Sequence, residues 1–331
     1  MSVLPRPTFV RLGDIRRRPR VLEQWEKVRH RQAHWLVECL AEAFGVFIYC
    51  YAGVGSQAGW VIGNLTAQPL GSIYQIGMAY AMGIILAMVT SGSTSGGHFS
   101  PAFTLVYVLF RGFPVLKGLR YVLAQCIGAY VACLVIYVQY RHVILEVEAG
   151  MAAKGVLDAL LFTPSGPAGI FANFLTPGWA IGQVFVNEFV CTFIIATVLW
   201  AVLDPTNFFV TPVAAPVFVA LSFGMCIWGY APIGVSLNTA RDLGGRFMAL
   251  TIWGTGAAGG RYAAVSALTN LLATVLAALF YELVLTDSRR VVVPSGVEFL
   301  TGHNAHAHDA DDGAPPPAPS NGSETSIEGK A

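Results

Sequence analysis

The sequence predicts an all-α membrane protein: six transmembrane helices plus two re-entrant half-helices, arranged as an inverted internal repeat. Three observations predict it. Of the 331 residues, 55% are hydrophobic and only 12% charged, whereas a soluble domain carries about 25% charged residues. Apolar stretches recur at about 34–57, 71–92, 115–140, 178–203, 210–230 and 262–286, each near the ~20 residues that a helix needs to cross the hydrocarbon layer. Two further stretches, Gly96 to Thr104 and Val235 to Gly244, begin helices of about ten residues, too short to span.

In chain order, residues 1–33 form a basic N-terminal tail, with Arg16, Arg17, Arg18 and Arg20 clustered. The tail has no apolar h-region, so it does not resemble a cleavable signal, and the first span is expected to serve for targeting. Lys27, Arg29 and Arg31 precede that span, Arg111, Lys117 and Arg120 lie between the second and third, and Arg289 and Arg290 follow the sixth. An even number of spans puts all three groups on one side, so both termini are expected to be cytoplasmic. Asn64 in Asn64-Leu65-Thr66 is then a glycosylation candidate on the outer side, and Asn321-Gly322-Ser323 is silent.

The membrane domain runs over 34–286, with halves at about 34–140 and 178–286. The intervening loop, 141–177, carries Pro164, Pro167, Phe162, Phe171 and Phe174 and is long enough to fold over something, such as an outer vestibule. Residues 287–331 form a cytoplasmic tail expected to be largely disordered, with a Pro-rich run and with His303, His306 and His308 read as solvated rather than metal-binding. Ser320, Ser323, Thr325 and Ser326 are phosphorylation candidates in a plain polar tail. The six cysteines, Cys39, Cys50, Cys126, Cys133, Cys191 and Cys226, sit in apolar segments without metal or redox spacing and are expected to be buried free thiols. No nucleophile–base pair, phosphate loop, metal cluster or cofactor motif is evident, so an enzyme is not expected, nor is a nucleic-acid partner.

The two short stretches carry the functional reading. Ser100 and Asn238 stand where a helix is capped, each followed by a residue and then Ala, as Ser100-Pro101-Ala102 and Asn238-Thr239-Ala240. A helix start inside a membrane exposes unpaired N–H groups and a positive dipole end, which is tolerated where backbone lines a water-filled cavity. The two starts are therefore expected to meet at mid-membrane and form the centre of a pore. Each half also holds an intramembrane carboxylate, Glu42 and Glu188, placed 58 and 50 residues before its cap. Such a group needs donors, and the exposed N–H groups of its own half-helix loop are the expected ones. Three spans per half invert the second copy and place the site at the repeat interface.

Ala41-Glu42, Ser95-Gly96-Gly97-His98, Pro101-Ala102, Thr104, Gln125 with Gly128-Ala129, Glu188, Asn238 and Ala240-Arg241-Asp242-Leu243-Gly244 with Arg246 resemble the major intrinsic proteins, the aquaporin and aquaglyceroporin family. The resemblance covers about 34–286 and implies a homotetramer with one pore per subunit. It implies passive conduction of water and small neutral solutes such as glycerol, in the plasma membrane or an internal one. The family's Asn-Pro-Ala motif is altered in both copies. Ser100 keeps a cap but exchanges an amide for a hydroxyl, and Thr239 replaces a rigid residue with one free to hydrogen-bond, so a slightly looser centre is expected. By spacing from the motifs the resemblance implies a selectivity filter of Tyr80, Cys226, Val235 and Arg241, supported by His98 and Asp242. A small apolar residue at Cys226, where water-selective members have histidine, implies a wider opening, and Asp242 and the long loop resemble the glycerol-conducting branch. The competing readings are a water or hydrogen peroxide channel that excludes glycerol, a non-conducting member with an adhesion or sensing role, and a proton-coupled or anion-conducting transporter.

Overall fold

A computed structural model describes residues 12–15 and 18–302. The expectations placed on His303, His306, His308, the Asn321 sequon and the phosphorylation candidates fall outside the described residues; of the tail expected to be largely disordered, residues 287–302 are described, and 294–302 are helical. Two units are present: a terminal one, made of residues up to His34 and from Glu298, and the membrane unit Trp35–Val297. The terminal unit holds the helix Arg20–Val28, with Val21, Leu22, Trp25 and Val28 exposed and Arg18 paired to Glu26 at 2.7 Å.

The membrane unit is helical throughout, and six of its helices are long and apolar enough to span. The first span is His34–Leu65, longer than the 34–57 expected. Ser56 and Gln57 interrupt its hydropathy, but Ala58, Val61 and Ile62 continue the buried face, so the helix runs on. Asn64 is exposed in its last turn. The second span, Ile73–Ala87, begins where the Ser72 hydroxyl accepts the Gln75 N–H at 3.1 Å, a side-chain cap for an otherwise unpaired donor.

The first half-helix is Pro101–Arg111, stopped by Gly112 in the left-handed region (φ 69°). The third span, Val115–Ala153, corrects the loop boundary: the chain stays helical through 141–153. Those residues carry charges, so hydropathy drops, yet Ile144 and Met151 are buried at helical spacing while His142 pairs with Glu146 one turn on at 3.3 Å. The connecting segment therefore starts after Ala153 and holds the short turns Leu157–Leu160 and Pro167–Ile170. Residues 166–172 and Phe174 are buried.

The fourth span is Ile181–Leu203, the fifth Ala215–Tyr230 and the sixth Gly260–Phe280. The second half-helix, Thr239–Trp253, has 15 residues rather than about ten. The sixth span packs on the fourth, the fifth on the second, and the second half-helix on the third. Glycines set the tightest crossings. A Cβ on Gly128 would overlap the Ala43 carbonyl of the first span, and one on Gly244 would come within 2.7 Å of the Tyr130 amide nitrogen. Small residues at such positions let backbones approach in a bilayer, where no hydrophobic force drives helices together.

At the end of the fourth span, Asp204 accepts from the Thr206 amide (2.8 Å) and hydroxyl (2.6 Å) and from the Tyr281 hydroxyl (2.9 Å). Burial alone would raise its carboxyl, but the Thr206 and Tyr281 hydrogen bonds and the nearby Arg290 charge outweigh that and hold it below the ordinary range. A depressed folded-state pKa stabilises above the unfolded value and loses that stabilisation as pH falls through the folded one. Asp204→Asn should therefore cost about 1–3 kcal/mol at neutral pH, and the gap in melting temperature from wild type should close below about pH 4. Thermal unfolding in detergent at neutral and acid pH checks both; a gap that widens in acid would contradict the sign.

Candidate functional site

The two half-helix loops are built alike. In the first, Glu42 is fully buried; its Oε1 accepts from the Ser95 hydroxyl (2.7 Å) and the His98 amide (2.9 Å). Its Oε2 accepts from the Phe99 amide (2.8 Å) and the Gln125 side chain (2.7 Å). In the second, Glu188 accepts from the Ser236 and Leu237 amides, both at 2.7 Å. The residues before the caps, Phe99 (φ 49°) and Leu237 (φ 60°), both adopt the left-handed region. Bulky side chains rarely do so, at a cost of about 1–3 kcal/mol each. The carboxylates hold that turn closed by binding the strained residues' own N–H groups.

The loops meet. Asn238 caps its helix by accepting from the Ala240 (2.9 Å) and Arg241 (3.3 Å) amides, while its Nδ2 donates to the Phe99 carbonyl at 2.9 Å. Two positive dipole ends thus sit together inside the bundle. Ser100 occupies the other N-cap position, but its hydroxyl makes no cap hydrogen bond. One bond shorter than a carboxamide, it reaches neither amide in the rotamer adopted. Pro101 takes the first helical position, where its missing N–H costs little, and Ala102 and Ala240 are buried. Thr239 does form a hydrogen bond: its hydroxyl donates to the Ala267 carbonyl of the sixth span at 2.8 Å. His98 is buried against Tyr107 (ring centroids 4.4 Å), with Nδ1 3.2 Å from the Thr104 hydroxyl.

Arg241 is 4% exposed, and its guanidinium makes three hydrogen bonds. Nε donates to the Tyr80 hydroxyl (3.0 Å), Nη1 to the Phe171 carbonyl (2.9 Å) and Nη2 to the Gln57 carboxamide (3.2 Å). All three acceptors are neutral. Asp242 is engaged elsewhere, accepting from Ser266 (2.9 Å), Arg246 (3.3 Å) and Asn173 (3.4 Å). The guanidinium charge is therefore not cancelled by the adjacent carboxylate. Val235 is half-buried and packs against the apolar core that includes Tyr80 and Phe171.

Cys226, the fourth residue expected at the filter, lies within the fifth span. It has 0% exposure, and its thiol lies 3.6 Å from the Cys191 carbonyl on the fourth span. All six cysteines are free, and Cys39 and Cys126 are only half-buried, contrary to expectation. Sequence reasoning missed Gln57, Phe171, Asn173 and Asn187. Asn187 donates to the Tyr230 (3.2 Å) and Gly234 (3.0 Å) carbonyls and steadies the second loop's approach. A polar side chain within an apolar span was the available signal for Gln57 and Asn187.

Three comparisons accompany this geometry. The sequence model of the family described as "Major intrinsic protein" matches residues 29–286. Aquaporin-3 of Laccaria bicolor is 50% identical over 318 residues, covering 94% of this chain and 96% of its own, and Aquaglyceroporin-2 of Rhizophagus irregularis is 34% identical over 65% of each. The crystal structure of the aquaglyceroporin from Plasmodium falciparum superposes with a TM-score of 0.63 at 22% identity, over 76% of this chain and 96% of that one.

Proposed function

The chain belongs to the major intrinsic protein family, and we propose that it is a passive transmembrane channel for water and for small neutral solutes such as glycerol. The observation that carries this reading is the Arg241 cluster above two joined half-helix starts, a charge held by neutral acceptors in a bundle whose centre offers hydrogen bonds. A permeant loses part of its hydration and regains it from loop carbonyls, from Asn238 and from the donors of Arg241 that remain. Ser100, Pro101, Ala102, Thr239 and Ala240 shape the centre, Tyr80, Cys226, Val235 and Arg241 the filter, and Glu42, His98, Glu188 and Asp242 support the loops. The chain works as a homotetramer with both termini in the cytoplasm, in the plasma membrane, with Asn64 available for glycosylation. It performs no covalent chemistry.

Stopped-flow light scattering on proteoliposomes tests the reading. Water and glycerol rates well above those of empty vesicles are expected. Rates equal to empty vesicles, with insertion confirmed, would leave the non-conducting reading standing. One observation favours a second reading: the Tyr80 hydroxyl reaches across to Arg241. Fast water or hydrogen peroxide without glycerol would mean that this bond keeps polyols out.

A further inference from the structure

The first span presents one face, at spacings of three or four residues, to successive elements of the pore. Glu42 binds the loop amides, and a Cβ on Gly45 would overlap the Phe99 ring. The Tyr49 hydroxyl reaches the Phe99 carbonyl at 3.4 Å. A Cβ on Gly53 would overlap three ring carbons of Tyr80, Cδ1, Cε1 and Cζ. Gln57 accepts from Arg241 and donates to the Gly169 carbonyl at 2.8 Å.

We propose that Gly53 is a specificity-determining residue: by lacking a side chain it lets the Tyr80 ring sink into the surface of the first span, and so sets the width of the passage beside Arg241. The inference rests on the channel reading. The ring fills space that a side chain of the first span would otherwise take, and its hydroxyl still reaches Arg241. Arg241 cannot retreat to compensate. Tyr80, Phe171 and Gln57 hold it, and Gln57 is itself tied to Gly169. A methyl at residue 53 must therefore move the ring off the first span by about 1 Å or more, since carbon atoms settle at about 3.5–4.0 Å. The passage takes up that displacement. Width separates a three-carbon polyol from water, so the residue sorts permeants without touching them.

The test compares glycerol and water permeability of Gly53→Ala and wild type in proteoliposomes, replacing glycerol by urea or hydrogen peroxide if wild type excludes it. The solute-to-water ratio should fall by about tenfold or more, the usual effect of one methyl group in a fitted site. In a Tyr80→Ala background the same substitution should leave the ratio unchanged, because the group it displaces is gone. An unchanged ratio in the single variant, an equal loss of both fluxes with the protein inserted, or the same shift in the Tyr80→Ala background would each overturn the proposal. If Gly53→Ala fails to insert, Gly53→Ala with Tyr80→Ala should restore insertion, and failure to do so would also overturn it. Wild type that conducts nothing would instead sink the channel reading, so the two failures are distinct.

Discussion

Glu42→Leu should leave no folded protein in the membrane. The substitution removes the acceptor of four hydrogen bonds, from Ser95, His98, Phe99 and Gln125, at a side chain with no exposed surface. Breaking a buried, fully bonded charged group costs about 3–5 kcal/mol, because the orphaned donors have no water to turn to. That is a large share of the about 5–15 kcal/mol by which proteins are stable. The left-handed turn at Phe99 loses its anchor at the same time. Glu42→Gln keeps one carbonyl oxygen but turns an amino group towards donors, so it should fall between wild type and leucine. Detergent-solubilised yield and melting temperature measure the series. A leucine variant that elutes and melts like wild type would mean that the loop amides find other acceptors.

Arg241→Val should convert the channel into a proton and cation leak while water still passes. The guanidinium bonds only neutral acceptors, so its charge is not cancelled and, in the channel proposed above, acts as an electrostatic barrier to cations. A unit charge acts on another at 4 Å with about 4 kcal/mol at an effective dielectric constant of 20. Losing even a third of that raises leak by about tenfold. Arg241→Lys keeps the charge but cannot bond three separate acceptors in one plane, so it should hold protons out while disturbing the solute-to-water ratio. A pH-sensitive dye trapped in proteoliposomes under an imposed potential reads the leak. An undisturbed barrier in the valine variant would assign proton exclusion to the half-helix dipoles alone.

How far the sequence carried the fold depended on whether a feature had a local signature. The spans were legible because hydropathy is additive along a window. Their ends were not: at 141–153 the third span leaves the apolar regime with charged residues on one side, and only Ile144 and Met151 reveal that it continues. The half-helix starts were legible from capping chemistry, and Asn238 caps as its residue type prefers. Ser100 has the right type at the right place and does not use it. The Arg241 cluster was only half legible. Tyr80 and Arg241 lie at counted distances from the motifs, whereas the Phe171 acceptor is a backbone carbonyl, which any residue could supply.

The partners of the two buried carboxylates bear on the order in which the chain is assembled. Ser95, His98, Phe99 and Gln125 all precede the long connecting segment, so the N-terminal half carries these four donors to Glu42 before any of the later spans is synthesised. Ser236 and Leu237 likewise come from the same half as Glu188. Each half can therefore neutralise its own intramembrane charge as it leaves the translocation machinery, without waiting for the other. Arg241 differs, because Gln57 and Tyr80 come from the early half and Phe171 from the connecting segment. Its docking, like the Asn238 bond to the Phe99 carbonyl, requires both halves, and it marks a point at which a nascent chain becomes a finished one.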